Sequence, residues 1–541
     1  MKRKSSNSEM ENNRESLAAI RTRVKYQGRL TAAVGLILCL GLCVIGLNVY
    51  NLRSLRETNS RIRHNQREET LVNDEKRADV AAGAVQTSDV KKVHSVCIYS
   101  RQKSHLNHVI AVFERLGYDT SAKKEDNWDV MWSHEYPFGQ LGGLLSEMKA
   151  TQKVNHWPGS GYLTMKGNLA TSKLKSTPLG FRIPKEIKEF RAEAKNHPDK
   201  LWVQKSNNHR GVRIKKIEEM YLLDVPYDAG VFVQEFVSNP LLIDGRKFDI
   251  GIYTVITSID PLRVYIYEDE FLLRFCSQPY HPLDVIEVTK YVVTDDYTPT
   301  WQIQSLVSLY NDYHYSHKQA LFTYMRKHGH DPDKVWTAVK ESIREAIVSK
   351  EPDFKKSLQH FTSNRNFFEL VRFDFVIDEN LKIWLMEVNM SPNLSSEHFP
   401  PNKWMYEQVI YNSLRLVGVG RMTHSNIPDV SRDEKEMRVN SRDIQIAPEH
   451  CTADGCTKLD DCKKLICKMC QLCRTASLSN TLKDAFLEHV NRGNFRRVLP
   501  HPLDTTPSSM DAKEDEQLSE NNKLMVMWFR AKCRLDVSWC H

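Results

Sequence analysis

Asp374, Glu387 and Asn389 are three oxygen-bearing side chains set among apolar neighbours in the stretch FFELVRFDFVIDENLKIWLMEVNMSPN, residues 367–393. Two carboxylates and an amide oxygen make a hard, all-oxygen donor set of the kind magnesium takes. Burying acids without a compensating cation is costly. Acids embedded among Phe, Leu, Met and Val therefore point to a bound cation, and a hairpin with outward, solvated acids is the plainer alternative.

The elements that must position them are legible in the same stretch. Two β-type runs flank the turn-forming Asp378, Glu379 and Asn380, which predicts a hairpin. Glu387 and Asn389, two apart on the second strand, share a face, and cross-strand pairing can bring Asp374 on the first strand beside them. Around this hairpin, strand-like and helix-like segments alternate from about residue 92 to 420 without an internal repeat, as in a mixed α/β or α+β enzyme. The chain has 541 residues, too many for one compact core, and its 41% hydrophobic and 27% charged residues read as globular. The net charge of +8 is mild and much of it sits near the N-terminus, so no nucleic-acid partner is expected.

The hairpin segment closely resembles the metal-binding signature of tubulin-tyrosine-ligase-like enzymes, which have an ATP-grasp fold. Other segments agree in the family's order. QKVNHWPGS at 152–160 and LTMK at 163–166 are similar to two N-terminal elements, the second ending on Lys166. VQEFV at 233–237 looks like a hinge that reads adenine, and GRKFDI at 245–250 looks like a Lys-Phe-Asp element. Residues 267–280 look like the segment that supplies a phosphate-facing arginine, here Arg274. The resemblance implies that Asp374, Glu387 and Asn389 hold magnesium, two ions by family precedent, on the phosphates of ATP. It implies nucleotide contacts from Lys166, Lys205, Arg210, Gln234, Glu235, Phe236, Val237, Lys247 and Asp249, and catalytic roles for Arg274, Lys247 and Asp249. The implied reaction activates an acceptor carboxylate with ATP as an acyl phosphate, which the amine of a free amino acid then attacks. Glutamate joined to a glutamate side chain of a protein, with tubulin tails the natural acceptor, is the expected case. The physical logic agrees, because phosphoryl transfer asks mainly for positioning and positive charge.

Several positions depart from the pattern. Gln204 stands where a lysine is expected and Lys205 follows one residue later, a shift that in a strand points a side chain to the other face. Arg213 replaces a glycine of the phosphate-covering loop, Gly251 stands where an arginine is usual, and Lys290 replaces an asparagine. These leave open a divergent enzyme or a pseudo-ligase that acts as a binding or scaffold protein.

The ends of the chain carry separate expectations. Residues 30–50 hold no charge and as a helix would be about 30 Å long, enough to cross a bilayer. With a basic tail at 1–29 and a polar stalk at 51–91, this predicts a single-pass membrane anchor, weakly type II from the flanking charges. Residues 421–541 form a cysteine-rich extension holding eight of the twelve cysteines, with an acidic, Ser/Thr-rich piece that reads as disordered. Its cysteines could form disulfides, bind zinc or stay free. A lumenal ligase domain would imply a non-tubulin acceptor.

Overall fold

The computed structural model describes residues 94–541 apart from 207–211, 216–219, 221–229, 421–436, 447–450, 453–454 and 504–516. The expected membrane segment at 30–50 lies outside the described residues. The single-pass membrane placement is corrected: among the described residues no helix is long and apolar enough to cross a bilayer. The longest of them, the 17-residue Pro332–Val348, would span only about 26 Å. It also carries Lys334, Lys340, Glu341, Arg344 and Glu345 along its length.

The architecture is α+β and has three sheets. A small parallel sheet joins β1 (Val96–Tyr99), β2 (Val130–Ser133) and β3 (Lys153–Val154) in that order. An antiparallel sheet contains β4 (Gly180–Arg182), β5 (Trp202–Ser206), β6 (Arg213–Lys215) and β7 (Val231–Glu235), ordered β4-β7-β5-β6. The large sheet is built on β9 (Arg246–Ile259), a 14-residue strand. On one edge β9 pairs first with β11 (Leu272–Phe275) and further along with β10 (Leu262–Tyr267). On the other it pairs with the short β8 (Leu242–Ile243) and with β13 (Glu369–Ile377). β12 (Thr298–Pro299) extends the sheet beyond β11, and β14 (Ile383–Asn389) beyond β13.

Both faces of the large sheet are covered. Phe248, Ile250 and Ile252 of β9 and Val371, Phe373 and Phe375 of β13 share one core with Val335, Val339 and Ile343 of the helix Pro332–Val348. Tyr253 and Val255 of β9 and Leu370 of β13 belong to the other core, with Val109 and Phe113 of the helix Asn107–Arg115 and Val409 and Ile410 of the helix Lys403–Leu416. Side chains alternate along a strand, so Lys247, Asp249 and Gly251 fall on the same face as Tyr253 and Val255. That face is apolar at one end of β9 and charged at the other, and the charged end is where the site forms.

The cysteine-rich extension joins this architecture. β15 (Phe495–Leu499) pairs antiparallel with β10 and becomes an edge of the large sheet. Glu488, on the helix Ala476–Asn491, accepts bonds from Arg263 Nε and Nη2 at 2.8 and 2.9 Å and from the Thr257 and Tyr265 hydroxyls. The cysteines are disulfide-bonded as Cys451–Cys470, Cys456–Cys467, Cys462–Cys473 and Cys533–Cys540, which sets aside the zinc alternative. Part of the piece expected to be disordered, 504–516, lies outside the described residues, and its far end begins the helix Glu520–Leu535.

Candidate active site

The hairpin forms as its sequence predicts. Asp378 accepts from the backbone N–H of Asn380 and Lys382 and from the Trp384 indole, and Leu381 takes the left-handed conformation that closes the turn. Pairing then aligns Gly251, Asp374 and Glu387 in one cross-strand row over β9, β13 and β14, with Asp249 opposite Arg274 and Arg372 opposite Asn389 in the flanking rows. A register shift lies between Asp374 and Phe375, where Phe375 pairs with Leu385 and Met386 is skipped. This bulge changes the alternation: Leu385 and Val388 both reach the core, while Glu387 and Asn389 turn together toward Asp374.

The charges interlock. The Arg274 guanidinium grips Asp249 with two 2.9 Å bonds and reaches Asp374 Oδ2 at 3.1 Å. Arg372 donates to both oxygens of Asp374, at 2.6 and 2.8 Å. The Asn389 amide nitrogen donates to Asp374 at 2.9 Å and to Glu387 at 3.1 Å. Lys166, the first residue of the short helix Lys166–Ala170, meets Glu387 Oε2 at 3.0 Å. Burial alone would raise the Glu387 carboxyl, but Lys166, the Asn389 amide and Arg372 together hold it well below the ordinary carboxylate range. Asp249 behaves in the opposite way: burial, with Asp374 adding to it, outweighs Arg274 and raises it to about 6.

Other expected residues are placed as follows. Lys205 extends its ammonium to the Gln234 side chain at 2.9 Å, and its charged neighbours are Glu387, Lys166 and Lys247. Burial lowers it to about 8. Gln204, one residue earlier, accepts from Lys215 on β6, so the strand turns Lys205 and not Gln204 toward the carboxylates, with no bulge in β5. Lys247 does not join the carboxylates; it donates to the Tyr291 carbonyl at 3.0 Å beneath the Phe236 ring. In the hinge, Gln234 donates to the Pro178 carbonyl, Glu235 holds Lys200, and Phe236 and Val237 are buried. The backbone N–H groups of Glu235 and Phe236 donate to the carbonyls of Leu179 and Leu201, so an adenine read along this hinge must use its other groups. Arg210 lies outside the described residues. Sequence reasoning missed Arg372, whose side chain is central to the cluster; the signal was an arginine in the middle of an otherwise apolar strand, two residues before Asp374.

Among the described residues, no group of three or more His, Cys, Asp or Glu side chains could hold a metal by itself. The donor set is two carboxylates and an amide, which suits magnesium, an ion that keeps several waters and shares its ligands with substrate phosphates. A carboxylate offers about four lone-pair positions. Glu387 has positions left over, whereas Asp374 already accepts from Arg372, Arg274 and Asn389. The residues fit the ion, with Glu387 the open ligand, Asn389 able to turn its oxygen inward, and Asp374 engaged by arginines.

The fold is α+β, and its central sheet gathers interlocked acids and cations on one face. The sequence comparisons narrow this. The model of the tubulin-tyrosine ligase family matches residues 144–426. The chain is 39% identical to a probable tubulin polyglutamylase, ttll-15, of Caenorhabditis elegans over 487 residues, 88% of this chain and 90% of that one. It is 28% identical to mouse tubulin monoglutamylase TTLL4 over 75% of this chain, and 26% identical to mouse tubulin polyglutamylase TTLL6 over 68%. Those matches span only 36% and 47% of the two mouse proteins. The chain belongs to the tubulin-tyrosine ligase family.

Proposed function

We propose that this chain is an ATP-dependent ligase that joins glutamate to a glutamate side-chain carboxylate of a protein, with the tails of tubulin as the acceptor. The observation that carries the reading is the single face of the large sheet on which Lys166, Glu387, Asn389, Asp374, Arg274 and Asp249 are linked by side-chain contacts. The names of the relatives support the choice of glutamate and tubulin, since they are described as tubulin polyglutamylases and a monoglutamylase.

In this reading Glu387, Asn389 and Asp374 hold magnesium, which when bound neutralises charge on the phosphates of ATP. Lys166 and Lys205 bind the phosphates, and the hinge 234–237 receives the adenine. Arg274, held by Asp249, presents positive charge to the transferring phosphoryl group, with Lys247 setting the floor of the hinge from its seat under Phe236. The acceptor carboxylate oxygen attacks the terminal phosphorus, the bond to the bridging oxygen breaks, and ADP leaves. The amine of free glutamate then attacks the acyl carbon, inorganic phosphate departs with the bonding pair, and the ammonium proton passes to solvent. These residues contribute orientation and charge, the two things this chemistry requires. The test is ATP-dependent incorporation of labelled glutamate into purified tubulin, with Glu387→Gln as control. Incorporation by the natural chain and not by the variant is the expected result; equal signals from the two contradict it.

A further inference from the structure

Gly251 is paired with Asp374 across β9 and β13, and its missing side chain is put to use. A Cβ built on Gly251 would lie 2.7 Å from Arg372 Cδ, 3.0 Å from Arg372 Nε and 3.0 Å from Asp374 Oδ1. The first is shorter than a Cβ contact allows, so the arginine stem would have to shift, and the other two are tight enough that their neighbours must give by a few tenths of an ångström. Arg372 and Asp374 are two apart on one strand and project from the same face. For the guanidinium to meet both oxygens of a carboxylate so close to its own root, the arginine stem must fold down over the neighbouring strand. It passes over residue 251, where the glycine leaves that path clear and a Cβ would press on it.

We propose that Arg372 is a positioning residue for the metal–nucleotide site, laid through the space that Gly251 vacates, and that residues 251 and 372 work as one unit. Arg372 fixes the orientation of Asp374 by donating to both of its oxygens, and it balances the charge of that buried acid before any metal arrives. At 5% exposure, with its donors turned onto Asp374, Arg372 reaches no substrate itself. The resemblance places an arginine at position 251; here a cation fills the same space but is rooted on the adjacent strand. The departure at Gly251 is then a relocation of charge rather than a loss, and the site keeps its electrostatic balance. This inference rests on the reading of the site as a magnesium–ATP site.

The experiment titrates the full chain with manganese(II) in the presence of ATP and follows free manganese by its electron paramagnetic resonance signal, alongside thermal unfolding without nucleotide. Gly251→Ala, which removes nothing and presses most closely on Arg372, is expected to weaken manganese–ATP binding by about 10- to 100-fold, the usual effect of disturbing a group that orients a metal ligand. Arg372→Lys, which cannot donate in two-pronged fashion, is expected to fall in the same range. In the Arg372→Gly background, Gly251→Ala should have much less effect than in the natural chain, because the group it presses on most closely is gone and only the looser contact with Asp374 remains. The exchange variant Gly251→Arg with Arg372→Gly is expected to recover most of the affinity. Should Arg372→Gly fail to fold, Gly251→Ala carries the test alone. Unchanged manganese–ATP affinity in Gly251→Ala, or a fall in thermal stability alone, overturns the inference and leaves the proposed function standing. Absence of manganese–ATP binding by the natural chain overturns both.

Discussion

Lys166 Nζ stands 3.0 Å from Glu387 Oε2, joining the first residue of a short helix to the C-terminal end of strand β14. Both side chains keep about a quarter of their surface exposed, 24% and 29%, so the pair is reachable by a ligand. A lysine in that place can release the carboxylate to a metal and take a phosphate in exchange. Lys166→Ala is expected to lower turnover by on the order of 100-fold, the scale seen when one charge-stabilising donor is removed from an active site. Steady-state incorporation kinetics with varied ATP check it, and an unchanged rate would remove Lys166 from the site.

A second expectation concerns Lys205. Burial lowers its ammonium to about 8. A cation with a depressed value is charged below that value and loses its charge as pH rises through it. ATP affinity should therefore fall as pH is raised from 7.5 toward 9, and Lys205→Met should bind more weakly at pH 7.5 while showing a flatter profile. Isothermal titration across this range gives the answer; parallel profiles for the two proteins would exclude Lys205 as a nucleotide contact.

The region between the hinge and the second half of the large sheet was legible in the sequence because hairpin logic is local. Alternation around Asp378–Asn380 gave the two strands, and period-two spacing put Glu387 and Asn389 on one face. What alternation could not give was the bulge at Met386, which lets Leu385 and Glu387 turn to opposite sides despite their even spacing. Arg372 could be noticed as an arginine within an apolar strand but not placed: whether it is buried depends on what the neighbouring strand leaves open, and that was a glycine more than a hundred residues away. The attachment of the extension was not legible, since β15 enters the large sheet through a long-range pairing that composition does not report.

That pairing leads to a third expectation. Glu488 and Arg263 are buried together, and Glu488 also receives the Thr257 and Tyr265 hydroxyls. Removing one partner of a buried, hydrogen-bonded ion pair strands the other charge. Glu488→Ala should destabilise the chain by about 3 to 5 kcal/mol, and a fragment ending at residue 420 should fail to fold cooperatively. Denaturant unfolding of the variant and of the fragment measures both; a fragment as stable as the full chain would contradict the account.

A fourth concerns acid. Burial lowers His317 to about 4, and its ring nitrogens lie 2.7 Å from the Thr300 hydroxyl and 3.2 Å from the Asn402 side chain. The unfolded chain takes up the proton near its ordinary value, the folded one only much lower, so stability is complete above about pH 6.5 and declines as pH falls toward 4. The contribution at stake is about 3 kcal/mol. His317→Gln should unfold with a smaller difference between pH 7 and pH 4.5 than the natural chain, and an identical pH dependence would show that His317 is not the group responsible.

The central claim is that the acids and cations gathered on one face of the large sheet form a working ligase site. Its most direct measurement is the transfer of labelled glutamate to purified tubulin by the full chain with ATP and magnesium, compared with Glu387→Gln. ATP-dependent label on tubulin that disappears in the variant is the predicted result. Label that persists unchanged in Glu387→Gln, or no label from the natural chain, would contradict it.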